Sequence, residues 1–431
     1  MKIYTIYRFF NLFTDSVFGF GTAVTSEHLK TTSPRVLLEK GCTRAESVCT
    51  GVCPTHAQPH AHAHNVEFFR VGFCSQPFFS SSLLPGSHCP LTELHLTAAT
   101  QRFSFSAHIL TSKTDKMASR GTVKASLNFN ATTDAEALYK AMKGLGTDEA
   151  AILQLLVARS NAQRQQIKTA YKTLFGKDLV NDLKSELTGK FETLIVNLMT
   201  PPLAYDVTLL HNAIKGAGTN EKVLVEVLAS RTPQQVKDIV TAYRQEYDAV
   251  LEEDIAGDTS GHFKRLLVIL LQANRQQGIQ QEYIEVDAQA LFKAGEQKFG
   301  TDEQSFVTIL GNRSAEHLRK VFDTYMKLAG FEMEESIKRE TSGSLKDLLL
   351  AVVKCARSVP AYFAETLYYA MKGAGTDDDT LIRVMVSRSE VDMLDIRTEF
   401  RRMFACSLFS MIKVHTHTHT HTHHTHTLTL T

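Results

Sequence analysis

The sequence contains no tryptophan, almost no net charge and no long apolar run. Its 431 residues carry a formal net charge of +1, so nothing in its charge indicates binding to nucleic acid. No stretch of about 18 apolar residues occurs, and the sequence therefore predicts no membrane-spanning helix. No signal peptide is expected either, because Arg8, Asn11 and Asp15 interrupt the apolar stretch that secretion requires.

Cysteine and histidine are scarce in the middle of the chain and concentrated at its ends. Five of seven cysteines and eight of 18 histidines precede residue 117, and seven more histidines follow residue 413. The middle, 117–413, is therefore typical of a cytoplasmic protein that folds in a reducing compartment. We expect 1–116 to be a disordered or non-native segment, and the Thr/His repeat of 414–431 to be a translated dinucleotide tract. Transition-metal binding by the histidines is the alternative at both ends.

Four copies of one short loop occupy the middle segment. They lie at intervals of 72, 82 and 75 residues, which indicates one structural unit copied four times. The loops run over Met142–Thr147, Ile214–Thr219, Gln297–Thr301 and Met371–Thr376. Apolar residues flank them at helical spacing, and no strand pattern appears. The sequence therefore predicts an all-α protein with five helices in each repeat.

The repeat boundaries follow from prolines, connectors and helix start signals. We predict a short leader at 117–133, complete repeats at 134–200, 203–275 and 286–358, and a truncated fourth repeat at 361–413. The third helix of each repeat is predicted to begin at a hydroxyl residue. An arginine precedes it in every repeat and is predicted to be buried and structural, with a ligand role as the alternative. The pairs are Arg159 and Ser160, Arg231 and Thr232, Arg313 and Ser314, and Arg388 and Ser389.

An acidic residue follows three of the four loop threonines at a constant distance. Thirty-nine residues after Thr147, Thr219, Thr301 and Thr376 stand Glu186, Asp258, Glu340 and His415. One interpretation is a tight helix–helix turn, with glycine ending one helix and threonine capping the next. The other is calcium, which accepts 6–8 oxygen ligands from carbonyls, water and carboxylates. Three equal spacings favour calcium, with Met142, Gly144 and Gly146 giving carbonyls and Glu186 both carboxylate oxygens.

The loop tips and the single acid of each loop predict contact with a membrane. A calcium ion held by one carboxylate keeps positive charge, so its open positions can accept phosphate oxygens from a lipid. Leu145 and Phe299 are large apolar residues at exposed turns, where they favour an apolar partner. Lys143 and Lys215 beside the loops favour anionic lipid, as do Lys298 and Lys372. Ordinary solvated lysines are the alternative for all four.

Three stretches carry a family resemblance: Ala141–Glu149, Leu183–Glu192 and Leu270–Arg275. Together with the four loops they resemble the annexins over 117–413, and the short leader suggests a short-tailed member. The resemblance implies a curved disc of four five-helix repeats with calcium loops on its convex face. It also implies reversible, calcium-dependent binding to phosphatidylserine-rich membranes and self-association there. Phe299 stands where the resembled protein carries a membrane-inserting tryptophan.

The resemblance also implies a ligand set in every repeat. The residues are Met142, Gly144, Gly146 and Glu186 in repeat 1; Ile214, Gly216, Gly218 and Asp258 in repeat 2; Gly295, Lys298, Gly300 and Glu340 in repeat 3; and Met371, Gly373 and Gly375 in repeat 4. In the fourth repeat the family pattern ends at Lys413, and neutral His415 is a poor calcium ligand. We therefore expect that site to be absent or impaired, and the missing last helix to leave apolar surface exposed.

The function predicted first is calcium-dependent binding to anionic phospholipid. The protein is expected to be a cytoplasmic monomer in solution and to become peripheral on membranes when calcium rises. Shielding of the lipid from phospholipases and coagulation factors would follow from covering it. The alternative is a helical-repeat scaffold that binds proteins without calcium. We expect no enzymatic activity, because the repeats contain neither a Gly-x-Ser-x-Gly motif nor a paired histidine and nucleophile.

Overall fold

The computed structural model describes residues 119–144, 146–216, 218–297, 300–373 and 375–413. These ranges belong to one compact unit. Across the described ranges the chain forms the eighteen helices named below, a further helical stretch at 408–413 and no strand, which confirms the predicted all-α class. None of those helices is both long and apolar enough to cross a membrane. The disorder predicted for 1–116 and 414–431 concerns residues outside this description.

Each of the first three repeats contains five helices. Repeat 1 has α1 (Ala131–Met142), α2 (Glu149–Val157), α3 (Asn161–Phe175), α4 (Leu179–Glu186) and α5 (Gly189–Met199). Repeat 2 has α6 (Pro202–Ile214), α7 (Glu221–Ser230), α8 (Pro233–Tyr247), α9 (Leu251–Asp258) and α10 (Gly261–Gln272). Repeat 3 has α11 (Gln281–Gly295), α12 (Glu303–Asn312), α13 (Ala315–Ala329), α14 (Met333–Glu340) and α15 (Gly343–Arg357).

The fourth repeat begins in the same way. Its helices are α16 (Val359–Met371), α17 (Asp378–Arg388) and α18 (Met393–Phe404). Residues 408–413 are again helical, and Lys413 is the last residue that the structure describes. The first three helices and the start of the fourth are thus in place.

Three of the four predicted helix starts are confirmed. Ser160 and Thr232 each form a capping box with the glutamine three residues later, and the Ser314 hydroxyl accepts the His317 N–H at 3.0 Å. The prediction for Ser389 is wrong, because this residue follows the end of α17 and α18 begins only at Met393. The Arg388 guanidinium holds the Asp392 carboxylate at 2.6 Å, and this pair keeps the intervening residues in a turn.

The arginines before the third helices are structural, as predicted, and each has a specific partner. Arg159, Arg231 and Arg313 each bind an aspartate of the first helix of their own repeat through two guanidinium nitrogens. The partners are Asp134, Asp206 and Asp287, at distances between 2.5 and 2.9 Å. In repeat 4 the corresponding residue is Phe363, and the Arg388 guanidinium lies 4.8 Å from the centre of its ring. The cation–π contact and Asp392 replace the missing aspartate.

The repeats pair into two separate apolar cores. One core joins repeats 2 and 3, and the other joins repeat 1 with the distant repeat 4. Three large apolar side chains of repeat 4 are exposed: Tyr369 at 59%, Val391 at 47% and Met403 at 37%. The predicted exposure does not extend to the core positions, where Met371, Met385 and Phe400 are 0% exposed and Leu381 is 4% exposed. Part of this burial follows from the core that repeat 4 shares with repeat 1.

A buried ion pair crosses between the two cores. Glu226 of α7 accepts three hydrogen bonds of 2.8–3.0 Å from the Arg383 guanidinium of α17. Both side chains are almost fully buried, at 2% and 8% exposure. The surface between the cores is therefore held by a charged pair as well as by packing.

The leader before α1 is bound to repeat 4. The Thr122 and Val123 N–H groups donate to the Ser389 carbonyl at 2.8 and 3.0 Å, and the Leu394 N–H donates to the Arg120 carbonyl at 2.9 Å. Gly121 lies at the closest approach, since a Cβ atom there would lie 2.4 Å from the Glu390 carbonyl carbon. Only glycine fits this position.

We expect Gly121→Ala to displace the leader and to lower the free energy of unfolding by about 1–3 kcal/mol, the usual cost of overpacking. Thermal unfolding measures this change. Gly257→Ala is the matched control, because a Cβ atom at Gly257 meets nothing within 4 Å and alanine favours the helix. A Gly121→Ala protein as stable as the parent would show that the leader contact contributes nothing.

Candidate metal centre

The four loops between the first and second helices share one backbone geometry. In each loop, an alanine carbonyl in the last turn of the first helix accepts the N–H of the residue after the loop threonine. The carbonyls belong to Ala141, Ala213, Ala294 and Ala370, and the N···O distances lie between 2.7 and 2.9 Å. This hydrogen bond closes the loop at its base, so the remaining loop residues project beyond the helix ends.

Glycines in the left-handed region form the outer part of the loops. The φ angles are 129° at Gly144, 93° at Gly146, 112° at Gly216, 102° at Gly218, 86° at Gly300, 123° at Gly373 and 138° at Gly375. Such angles strain any residue with a Cβ atom. A Cβ atom at these positions would meet nothing within 4 Å. Glycine is therefore required by the backbone conformation, and the peptide groups stay uncovered by side chains.

The repeat 3 loop is longer by one residue than the other loops. Seven residues lie between Ala294 and its hydrogen-bonded partner Asp302, whereas six lie between Ala141 and Asp148. Gly295 therefore follows its alanine just as Met142 follows Ala141. A Cβ atom at Gly295 would lie 3.3 Å from the Glu340 side chain, so a glycine here leaves room for the acid.

Each of the three distant acids contacts the threonine of its own loop. The Thr147 hydroxyl donates to a Glu186 carboxylate oxygen at 2.7 Å, and the Thr301 hydroxyl lies 2.7 Å from a Glu340 carboxylate oxygen. In repeat 2 the contact is longer, with the Thr219 hydroxyl 3.5 Å from an Asp258 carboxylate oxygen. The constant spacing in the sequence therefore corresponds to a direct side-chain contact.

The position of these acids is electrostatically unfavourable without a cation. Glu186, Asp258 and Glu340 are the last residues of α4, α9 and α14. The carboxyl end of a helix carries partial negative charge, which disfavours a carboxylate. Three acids kept at helix carboxyl ends beside a glycine loop therefore indicate that a positive ion balances their charge.

The side-chain donors suit a hard cation bound mainly by backbone oxygens. In the part of the chain that the structure describes, no cluster of three or more His, Cys, Asp or Glu side chains could hold a metal ion. One distant carboxylate lies beside each of the first three loops, so most ligands of an ion there would be peptide carbonyls, water or atoms of another molecule. Calcium accepts this mixture, whereas protein zinc sites are built mainly from cysteine, histidine and carboxylate side chains.

Several predicted residues lie outside the described part of the chain. They are Leu145, Lys298, Phe299 and His415, so their roles stay predictions. Lys143 and Lys215 are exposed and cap the ends of α1 and α6. The Lys143 ammonium lies 5.5 Å from the centre of the Tyr139 ring. The fourth loop has the same glycine conformation as the first two, but its predicted acid position is His415.

A tyrosine network below the loops was missed from the sequence. Tyr171 donates its hydroxyl proton to Asp182, eleven residues later, at 2.7 Å. Tyr243 does the same to Asp254 at 2.8 Å. The regular spacing is a signal that could have revealed both pairs.

Repeat 3 uses a different network at the same place. The Tyr325 hydroxyl lies 2.8 Å from the Ser336 hydroxyl, which donates to Glu296 of the loop at 3.0 Å. Burial raises the pKa of Tyr325 to about 12, and the nearby charge of Glu296 and Glu340 adds to this effect. In repeat 3 the Glu296 carboxylate of the loop, reached through Ser336, therefore replaces the aspartate that accepts the tyrosine hydrogen bond in repeats 1 and 2.

The threonine contacts give a test of the site geometry. We expect the double variant Thr147→Val, Thr301→Val to raise the calcium concentration for half-maximal binding by about 3–10-fold, because a lost hydrogen bond leaves each acid less well oriented. Terbium luminescence titration measures this shift. The control is Thr376→Val, in the loop whose predicted acid position is His415. If the calcium concentration for half-maximal binding shifts equally in the double variant and in Thr376→Val, the threonines stabilise the loop and do not act by orienting the acids.

Comparison with known proteins gives a consistent result. A family model described as Annexin matches residues 133–198, 205–270, 286–352 and 362–422. Annexin A5 of Gallus gallus is 67% identical over 299 residues, which cover 69% of this chain and 93% of that protein.

Two solved structures extend the comparison. Chicken annexin V aligns with a TM-score of 0.66 at 67% identity, covering 69% of this chain and 94% of that one. A calcium-bound structure of annexin (Sm)1 aligns with a TM-score of 0.60 at 32% identity, covering 69% of this chain and 89% of its own.

Proposed function

The chain belongs to the annexin family, and from this membership we propose that it binds reversibly to anionic, phosphatidylserine-rich membranes when calcium rises. The observation that carries the proposal is the contact between each distant acid and its own loop threonine. It places Glu186, Asp258 and Glu340 beside glycine loops with uncovered peptide groups. A calcium-bound annexin with the same fold supports calcium as the ion.

The proposed ligands are one carboxylate and several loop carbonyls in each of three repeats. Repeat 1 uses Met142, Gly144, Gly146 and Glu186; repeat 2 uses Ile214, Gly216, Gly218 and Asp258; repeat 3 uses Gly295, Lys298, Gly300 and Glu340. Repeat 4 offers the carbonyls of Met371, Gly373 and Gly375 and is impaired by His415. Calcium supplies positive charge and open ligand positions at these loops when it is bound.

Lipid phosphate completes the coordination of each ion in this proposal. A single carboxylate leaves net positive charge at each loop, which favours an anionic third partner. Linkage then requires that lipid raise the affinity for calcium and that calcium raise the affinity for lipid by the same factor. Three loops on one molecule multiply the effect, because the second and third contacts are intramolecular.

Residues around the loops add contacts with the membrane. The exposed Lys143 and Lys215 attract anionic head groups, and Leu145 and Phe299 enter the interface with their apolar side chains. The protein is a cytoplasmic monomer that becomes peripheral on membranes and self-associates there. Shielding of the covered lipid from phospholipases and coagulation factors follows from this binding, and we assign the chain no catalytic role.

Vesicle sedimentation tests the proposal against a calcium-independent protein scaffold. With vesicles of phosphatidylserine and phosphatidylcholine, the protein is expected in the pellet with calcium and in the supernatant after a chelator is added. Vesicles of phosphatidylcholine alone are the control and are expected to bind far less. Binding that the chelator leaves unchanged would overturn the proposal and favour the scaffold.

A further inference from the structure

The residue that caps the carboxyl end of the first helix has the opposite charge in repeat 3. It is Glu296 there and a lysine in the other repeats, at Lys143, Lys215 and Lys372. A lysine is favourable at this place, because the carboxyl end of a helix carries partial negative charge. Glu296 puts a carboxylate there, and Glu340 puts another at the end of α14. The repeat 3 loop therefore has two acids beside it, each at an unfavourable helix end.

Both carboxylates lie close to Gly295, the first proposed ligand of this loop. A Cβ atom at Gly295 would lie 3.3 Å from the Glu340 Cγ atom and 3.4 Å from the Ser336 Oγ atom. The Ser336 hydroxyl donates to a Glu296 carboxylate oxygen at 3.0 Å. Burial raises the pKa of Tyr325 to about 12, and the charges of Glu296 and Glu340 both add to this rise. The two acids therefore act on one small region of the loop.

The tyrosine network shows that the position of this carboxylate differs between the repeats. In repeats 1 and 2 the residue four positions before the distant acid is an aspartate, Asp182 or Asp254, and it accepts the tyrosine hydroxyl. In repeat 3 the same position is Ser336, and the carboxylate of the network belongs to Glu296. Each complete repeat thus keeps one carboxylate in its network, and repeat 3 is the one that places it in the loop.

A structural role alone does not account for the charge of Glu296. A neutral glutamine would accept the hydrogen bond from Ser336 equally well, without adding negative charge to a helix end. Within the part of the chain that the structure describes, neither Glu296 nor Glu340 forms an ion pair with a lysine or arginine. Two neighbouring carboxylates without such a partner favour a cation between the loop and α14.

We propose that Glu296 is a second acid of the repeat 3 calcium site, where its negative charge adds to that of Glu340 and strengthens calcium binding at this loop alone. The inference rests on the proposed function, since it needs calcium at the loop. Calcium affinity rises with the number of charged groups at a site. The same charge lowers the stability of the calcium-free protein, because it lies at a helix carboxyl end beside another acid. Ser336 is a positioning residue, which holds the Glu296 carboxylate beside the loop.

Calcium titration of the full chain with the acids of repeats 1 and 2 replaced tests the proposal. In the background Glu186→Gln with Asp258→Asn, we expect Glu296→Gln to raise the calcium concentration for half-maximal binding by about 5–20-fold. Displacement of luminescent terbium by calcium measures this shift without a membrane. The matched control is Glu285→Gln, which removes the same charge from the other end of α11. It is expected to shift binding by less than about 2-fold, because salt screens a charge at that distance.

Glu340→Gln in the same background separates this inference from the proposed function. It is expected to abolish the remaining calcium binding at the repeat 3 loop. If Glu340→Gln does so while Glu296→Gln binds like its parent, the proposed function stands and the role of Glu296 is refuted. If neither substitution changes calcium binding, the proposed function itself fails at this loop.

Thermal unfolding in calcium-free buffer distinguishes a second acid from a structural residue. We expect Glu296→Gln in the otherwise unmodified chain to unfold at the parent's temperature or above it, because the amide keeps the hydrogen bond and removes the charge from the helix end. Weaker calcium binding together with a lower unfolding temperature would show that Glu296 supports the fold of the loop, and would overturn the proposal.

Discussion

Replacing Glu186, Asp258 and Glu340 together by Gln, Asn and Gln is expected to abolish calcium-dependent binding to phosphatidylserine vesicles. The amides keep the size of the acids and an oxygen that can accept the threonine hydrogen bond. They remove the one negative side chain that each proposed site contributes. Calcium affinity depends on the number of charged ligands, and the loss acts at three linked sites. We expect the calcium concentration for half-maximal binding to rise by about 100-fold or more.

Sedimentation over a calcium series measures this effect. The matched control is Asp238→Asn with Glu246→Gln and Glu285→Gln, which removes three exposed carboxylates from α8 and α11. This control changes the net charge by the same amount and is expected to bind like the parent. A triple loop variant that still binds at the parent's calcium concentration would mean that these acids are not ligands.

Glu226→Gln is expected to destabilise the protein by about 3–5 kcal/mol, the usual result of removing one partner from a buried ion pair. Glu226 and Arg383 are almost fully shielded from water and share three hydrogen bonds. The amide would leave the guanidinium charge buried without a counter-charge. Because the pair crosses between the two apolar cores, the loss weakens their contact.

Chemical denaturation measures the free energy of unfolding of this variant. Glu399→Gln is the control, because its partner Arg402 is 67% exposed and exposed pairs contribute about 0–1 kcal/mol. The double variant Glu226→Met, Arg383→Met is expected to regain most of the loss, since an apolar pair of similar volume avoids the buried charge. A single variant as stable as the control would show that water reaches the arginine.

The features that the sequence predicted are those that recur at a fixed spacing. The loop glycines and the distant acids are repeated, so each copy supports the interpretation of the other copies as calcium loops. The Thr147–Glu186 and Thr301–Glu340 contacts follow that spacing directly. The capping boxes at Ser160 and Thr232 were predictable because they depend on residues within one helical turn.

The features that the sequence did not reveal depend on residues far apart or on a local departure from the repeat. Nothing near Glu226 predicts Arg383, which lies 157 residues later; the only signal was an acid within the apolar stretch Val223–Leu228. The error at Ser389 has a local cause, since Asp392 binds Arg388 and takes over the helix start. The aspartate partners of Arg159 and Arg231 could have been found, because both precede their arginine by 25 residues.

The sharing of one core by the first and last repeats sets an order for folding. Repeats 2 and 3 are consecutive, so their common core forms from chain segments that are close in sequence. Repeats 1 and 4 can meet only after the intervening chain has been drawn into a closed loop, and closing a longer loop costs more entropy. Compaction of repeats 2 and 3 shortens that loop before it closes. During synthesis, repeats 1 to 3 would therefore leave the ribosome before repeat 4. The apolar face of repeat 1 would stay unpaired until repeat 4 emerges.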